Sequence, residues 1–440
     1  MSVPDTLAPA RAARPADPSR AADRPQAAEA APAADADGIM ARLGRLWDRE
    51  RLPGEAEIRP LFQARLTDVA ANRLAGTWRQ TYRAGDAGTR RAMLAALARV
   101  GSSLEPREEH ASRLFKRLNA QPDGLRFLVE LRTDMLRWRK QVAGLQALDK
   151  ELEALLSAWF DVGLLELRPL TWDSPASLLE KLIIYEAVHE IRSWDDLRHR
   201  VASDRRCYAF FHPQMPDVPL IFVEVAFAGQ MAGNVQALLD PAAPAQDLDK
   251  ARWAIFYSIS NTQPGLRGIS FGNFLLKRVI ERLLTELPKL KAFATLSPMP
   301  GFADWLARQP ASELAAVVHG KGSAAPRPRS PDGARWAARL ARAAASGKAT
   351  EAMQRIAMRL AARYLLTLKD GQPLDPVARF HLGNGARIER LNWAADLSEK
   401  GLRQSCGLMV NYLYELDELD GNLAMLGAGK PRASRSIGRA

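Results

Sequence analysis

Residues 253–287 read WAIFYSISNTQPGLRGISFGNFLLKRVIERLLTEL, and three textures follow one another within them. WAIFYS, 253–258, is rich in aromatic and branched residues, the composition of a buried strand. A glycine-rich turn follows, with Gly265, Gly268 and Gly272. The spacing of apolar residues then predicts an amphipathic helix over about 271–287. Strand, glycine turn and helix in succession make an α/β unit. Working outward, CYAFF (207–211) and LIFVEVAF (220–227) read as further strands upstream. AFATL (292–296) reads as a strand that ends at Ser297-Pro298. The region after about residue 165 is therefore a mixed sheet with helices.

Residues 39–160 have a different pattern. Leu145, Leu148, Leu152, Leu155, Leu156 and Trp159 step by three and four, and Leu125, Leu128, Val129 and Met135 do the same. Such stripes predict packed helices, with Pro122-Asp123-Gly124 as a turn before one of them. Residues 1–38 hold 14 Ala and 6 Pro without apolar periodicity, which predicts a disordered leader. The division expected is a leader (1–38), a helical domain (39–160), an α/β domain (161–426) and a basic flexible tail (427–440).

The bulk properties narrow the function. The 440 residues are 47% hydrophobic and 25% charged, ordinary for a globular chain. Cys207 and Cys406 are the two cysteines, too few for a disulfide framework and without zinc-ligand spacing. No uncharged apolar run reaches membrane-spanning length. The net charge of +12 admits a nucleic-acid reading, as does the basic stretch 321–348. No recognition motif or interleaved aromatics accompany that stretch, so neither nucleic acid nor membrane is expected as a partner.

Four segments carry chemistry. In GLRGISFGNF, 265–274, glycines and a helix start suit an anion, with Arg267 supplying charge-assisted bonds. The turn matches neither of the two common nucleotide-loop signatures. Ser297 sits at a strand's carboxyl end, a frequent place for site chemistry, stiffened by Pro298 and Pro300 and without the flanking glycines of a hydrolase elbow. His381 precedes the turn Gly383-Asn384-Gly385. Cys406 reads as a small buried hydrophobe, ahead of a segment presenting Tyr412 and Tyr414.

In this order, YEAVH (185–189), RRCYAFF (205–211), AIFYSISNTQ (254–263), SFGNFLLKRV (270–279), LSPMPGF (296–302), FHLGNGA (380–386), NWAAD (392–396) and SCGLMVNY (405–412) resemble the malonyl-CoA decarboxylase family. The resemblance implies an α+β chain, an amino-terminal helical bundle followed by a GNAT-like, acyltransferase-like mixed α/β domain. It implies conversion of malonyl-CoA to acetyl-CoA and carbon dioxide with no cofactor, neither metal nor biotin. The family's active serine and histidine fall on Ser297 and His381, and a site tyrosine falls on Tyr414. The acyl-CoA loop falls on Arg267, Gly268, Ile269, Ser270, Phe271, Gly272 and Asn273. Lys277 or Arg278 would add charge for the CoA phosphates. Eukaryotic members tend to carry an acidic residue where this chain has Ser270. His381 suits protonation of an enolate carbon and Ser297 suits orientation, and these roles are interchangeable on sequence alone. The resemblance further implies a homo-oligomer, a tetramer. The chain's end lacks a peroxisomal Ser-Lys-Leu address, which points to a bacterial cytoplasmic enzyme. An acyltransferase moving an acyl group from CoA to an amine is the alternative.

Overall fold

The computed structural model describes residues 54–202, 204–269, 275–319 and 332–438. The leader at 1–38 and the loop residues Ser270, Phe271, Gly272 and Asn273 lie outside the described residues, as does most of the basic stretch before residue 332. Six helices come first: α1 (Glu55–Gln63), α2 (Val69–Ala84), α3 (Ala87–Ser102), α4 (Arg107–Asn119), α5 (Gly124–Trp138) and α6 (Leu145–Trp159). Aspartate side chains cap two of them. Asp68 accepts from the Ala71 N–H at 2.8 Å and Asp86 from the Thr89 N–H at 2.7 Å, each worth about 1 kcal/mol. The predicted stripe on α6 is buried at Leu145, Leu148, Leu152 and Leu156, while Leu155 and Trp159 lie at its margin.

The sheet follows. Its strands are β1 (Glu166–Leu170), β2 (Arg205–His212), β3 (Met215–Ala228), β4 (Trp253–Asn261), β5 (Ala292–Thr295), β6 (Ser297–Pro298), β9 (Arg387–Asn392) and β10 (Met409–Tyr414). A separate hairpin is formed by β7 (Leu368–Lys369) and β8 (Gln372–Pro373). The sheet order is β1-β2-β3-β4-β5-β10-β6, with β9 on the other edge of β10. Every pairing is antiparallel except β4 with β5. A parallel pair requires a crossover, supplied by the helix α10 (Leu275–Glu286). That helix buries Leu275, Leu276, Val279, Ile280 and Leu283, one face at helical spacing.

The two sheet faces bury different partners. Tyr208, Phe210, Val223, Val225, Phe256 and Phe293 belong to a core shared with α10 and with Val129 and Leu152 of the helical half. Cys207, Ala209, Phe211 and Phe222 meet Leu179, Leu182 and Leu197, from the helices α7 (Ala176–Tyr185) and α8 (Trp194–Arg200). Residues Pro53–Ala440 form one compact unit. The observed class is α+β, a helical part followed by a mixed sheet with helices, as expected from the sequence.

The basic stretch leads into a helix, Gly333–Ser346, which buries Trp336 and Leu340. One expectation changes. The carboxyl-terminal tail, expected to be flexible, is docked as far as Gly438. The Ile388 N–H donates to the Arg432 carbonyl at 3.0 Å and the Ser434 N–H to the Ile388 carbonyl at 2.8 Å. Ile437 is buried. The outer edge of β9 offers unpaired backbone groups, and the tail satisfies them.

Candidate active site

The β4–β5 pairing stops at Phe256 and Thr295. Beyond it the Leu296 N–H still reaches the Phe256 carbonyl at 2.9 Å, and then the chains part. Residues 258–261 continue along β3, while Ser297 and Pro298 pair with β10 instead. The parting places Ser297 between the two halves of the sheet. Side chains two apart on a strand share a face, and the Ser297 hydroxyl donates to Thr295 Oγ1 at 2.9 Å. Thr295 Oγ1 also accepts from the Tyr412 N–H at 3.1 Å. Asn411 secures the seam from the other face of β10. It donates to the Thr295 carbonyl at 2.6 Å and accepts from Asn392 Nδ2 at 2.8 Å.

His381 arrives on a separate element, the last turn of α15 (Pro376–Gly383). (The helices between are α9, Val235–Leu238; α11, Phe302–Ala307; α12, Ala311–His319; α13, Gly333–Ser346; and α14, Glu351–Leu366.) Pro376 opens α15 and Asp375 caps it, accepting from the Val377 and Ala378 N–H groups at 2.9 and 2.8 Å. Tyr364 OH, from α14, donates to the same carboxylate at 2.9 Å. Burial pushes the Asp375 carboxyl up, and these donors oppose the rise. Asp375 thus anchors the helix that carries His381.

His381 Nε2 lies 3.2 Å from Ser297 Oγ, and Nδ1 lies 2.8 Å from Tyr414 OH. The ring stacks on Tyr412, with centroids 4.5 Å apart and planes at 26°. Phe380 meets it edge-on at 5.1 Å. His381 is 3% exposed and Ser297 6%. Burial alone pulls the His381 pKa down to about 3, so the imidazole is neutral at pH 7. Burial also holds the Tyr412 and Tyr414 hydroxyls well above the ordinary tyrosine range. Two neutral tautomers fit. With Tyr414 donating to Nδ1, Nε2–H donates to Ser297. With Nδ1–H donating to Tyr414, Nε2 accepts the one Ser297 hydroxyl hydrogen, which then leaves Thr295 Oγ1; the Ser297 to Thr295 bond belongs to the first tautomer.

The structure thus brings Ser297, His381 and Tyr414 into one contiguous cluster. Of the loop residues, Arg267 and Gly268 are exposed and Ile269 is buried, and Gly268 has φ +85°, a conformation that favours glycine. Arg278 is turned elsewhere: it donates to the Leu165 carbonyl at 2.7 Å and lies over the Phe210 ring, bracing α10 against the start of the sheet. Cys406 is buried, and burial pushes its thiol up to about 12, which suits packing and not nucleophilic attack. Thr295 and Asp375 escaped the sequence reading. The i,i+2 spacing of Thr295 to Ser297 and the Asp-Pro start before His381 were the signals available. Among the described residues no group of acids, histidines or cysteines could hold a metal ion.

Residues 163–439 match the malonyl-CoA decarboxylase C-terminal domain, and residues 72–160 match the N-terminal domain of the same family. The chain belongs to the malonyl-CoA decarboxylase family. A mitochondrial malonyl-CoA decarboxylase from Mus musculus is 39% identical over 370 residues, covering 78% of this chain and 73% of that one. The crystal structure of the malonyl-CoA decarboxylase from Cupriavidus metallidurans is 53% identical, with a TM-score of 0.78 over 88% of this chain and 98% of that one. The one from Rhodopseudomonas palustris is 37% identical, with a TM-score of 0.73 over 88% of this chain and all, 100%, of that one. Ser297, His381 and Tyr414 lie within the segment that matches the C-terminal domain, and most of the helical bundle lies within the segment that matches the N-terminal one. No helix among the described residues is long and apolar enough to cross a membrane.

Proposed function

We propose that the protein decarboxylates malonyl-CoA to acetyl-CoA and carbon dioxide through a thioester enolate, with Ser297 and His381 as its catalytic pair. The observation that carries this reading is the buried Ser297–His381–Tyr414 chain, whose imidazole is neutral. In the step, the bond between the α-carbon and the carboxylate breaks. Its electron pair moves onto the thioester, carbon dioxide leaves, and the enolate carbon takes a proton. Ser297 turns its hydroxyl hydrogen from Thr295 Oγ1 to the developing enolate oxygen, or to the carboxylate, while accepting from Nε2–H. One aimed donor of this kind is worth about 3–4 kcal/mol. The aromatic and hydroxyl surroundings of His381 give the substrate carboxylate little solvation, which favours the loss of its charge into carbon dioxide.

His381 supplies the proton. Its ring is neutral in the free protein, and an anion placed 3–4 Å away favours the imidazolium. The substrate's charge therefore raises the pKa of His381 toward that of an acid, and the proton is drawn from water. The turn with Arg267, Gly268, Ile269, Ser270, Phe271, Gly272 and Asn273 holds the CoA phosphates in this reading, before the start of α10. The helical part is read as the oligomerisation region of a homotetramer. The bacterial relatives of known structure support a bacterial setting, and the cytoplasm is the compartment in this reading.

The test is malonyl-CoA with purified protein in deuterated water, without any acceptor, read by mass spectrometry. Acetyl-CoA carrying one solvent deuteron is the expected product. His381→Ala should lower turnover at least about 100-fold and leave binding largely intact. Unchanged malonyl-CoA with the intact protein would refute decarboxylation and favour acyl transfer to an amine. Near-normal turnover by His381→Ala would refute the role of the histidine.

A further inference from the structure

The loop that starts the phosphate-binding turn rests on a buried arginine from the other half of the chain. Arg132, on α5, is 1% exposed. Its Nε donates to Asp149 Oδ1 at 3.0 Å, and its Nη2 lies 3.0 Å from Glu153 Oε2, both acids on α6. Its Nη1 donates to the carbonyl oxygens of Gly265 and Arg267, each at 2.8 Å. Those carbonyls belong to the 3-10 turn Pro264–Leu266 and to the residue after it. The approach is close. A Cβ on Gly265 would collide with the carbonyl of Val129, on α5, so only glycine lets the turn lie on that helix.

We propose that Arg132 is a positioning residue for the phosphate end of the substrate, fixing the backbone from which the Arg267 side chain projects. The inference rests on the reading of this turn as the CoA phosphate site. Two carbonyls bound by one guanidinium nitrogen fix the turn more firmly than a single bond. Asp149 and Glu153 hold the guanidinium in place in turn, and a planar fork gives the orientation that an ammonium cannot. The exposed Arg267 then leaves the protein in one direction. Misplacing a binding group by about 1 Å costs about 100-fold. The phosphates are remote from the reacting carbon, so the loss falls on KM and leaves kcat intact.

The experiment compares malonyl-CoA with malonyl-pantetheine, which has the same reacting group and no phosphate. The variants are Arg132→Lys, which keeps the charge beside Asp149, and Gly265→Ala, which lifts the turn from α5 without altering any charge. Thermal unfolding of each is recorded alongside. For both variants kcat/KM for malonyl-CoA should fall about 10- to 100-fold through KM. The value for malonyl-pantetheine should stay within twofold of the intact protein, so the preference for the CoA ester collapses. Equal losses on both substrates would overturn the inference, because a merely structural role lowers both. A preference retained in both variants would overturn it too, while leaving the phosphate reading of the turn intact. If the intact protein itself shows no preference for malonyl-CoA, the phosphate reading fails and the inference falls with it.

Discussion

Tyr414→Phe removes a single oxygen, and its effect can be worked from the distances. Tyr414 OH lies 2.8 Å from His381 Nδ1, behind the ring as seen from Ser297. Without the phenol, Nδ1 is left buried and without that partner, at about 1–3 kcal/mol. The donor that would select the tautomer with hydrogen on Nε2 in the proposed mechanism goes with it. If that cost falls on the reacting complex, kcat drops about 5- to 150-fold, since 1.36 kcal/mol is tenfold. KM should hardly change, because the phenol meets the imidazole and not the CoA chain. The assay is initial-rate decarboxylation by intact protein, Tyr414→Phe, His381→Ala and the double variant. A residue acting through His381 has nothing to act on once the ring is gone. The Tyr414→Phe loss should therefore vanish in the His381→Ala background. Equal fold-losses in both backgrounds would refute the relay and make Tyr414 an independent contributor.

Four further outcomes follow from the same geometry. Ser297→Ala should lower kcat about 100- to 1,000-fold, the measured worth of one aimed donor, and normal turnover in a stopped assay would remove serine from the mechanism. The folded His381 pKa of about 3 lies below that of the free side chain, 6.5, so the unfolded chain binds the extra proton between them. Stability contributed by this residue is complete above about pH 6.5 and falls as the pH drops toward 3, by about 2 kcal/mol at pH 5. Denaturant melts should show a shallower acid dependence for His381→Gln, and an unchanged slope would contradict the buried neutral ring. Gly301→Ala puts a Cβ against the Tyr364 phenol oxygen and should destabilise by about 1–3 kcal/mol. Tyr364→Phe makes room for that methyl, so the two substitutions should cost less together than their sum, and strict additivity would disprove the contact. Ring-nitrogen NMR should show the His381 pKa rising with a non-cleavable malonyl thioether of CoA and not with its acetyl counterpart; equal values would show that the substrate carboxylate does not charge the ring.

Local signals carried much of the fold. The run 253–258 is a strand because its residues alternate between two buried faces, and α10 is a helix because its apolar residues recur on one side. The parting of β4 from β5 was not legible. It depends on β10, more than 100 residues later in the chain, which captures Ser297 and Val410 as a pair. The docking of the tail was hidden for the same reason. Ile437 in a Gly/Ser/Arg segment looks solvated until β9 offers an edge. Within the site, Ser297 and His381 were picked out by their turns and by family resemblance, whereas the 3.2 Å between them is a long-range fact. Thr295 was invisible as a partner because a threonine inside AFATL reads as an ordinary strand residue. Arg132 was invisible because an arginine on an amphipathic helix usually faces water. Its burial depends on Asp149 and on the carbonyls of a turn 133 residues away.

The state of His381 also bears on the choice between decarboxylation and acyl transfer. Transfer to an amine requires a base that takes a proton from an ammonium or from the attacking nitrogen. A ring whose pKa is about 3 holds a proton too weakly for that task near neutral pH. Decarboxylation makes the opposite demand. The substrate arrives as an anion, no proton is removed from it, and one must be added after carbon dioxide leaves. A neutral imidazole in apolar surroundings repels no incoming charge and attracts none strongly enough to hold the carboxylate in its ground state. In the proposed mechanism the substrate's own charge raises the pKa of the ring, and the proton the ring then carries lies next to the carbon that needs it. In that proposal, the burial that makes His381 a weak base in the free protein is also what keeps it uncharged beside Ser297 until a malonyl group is in place.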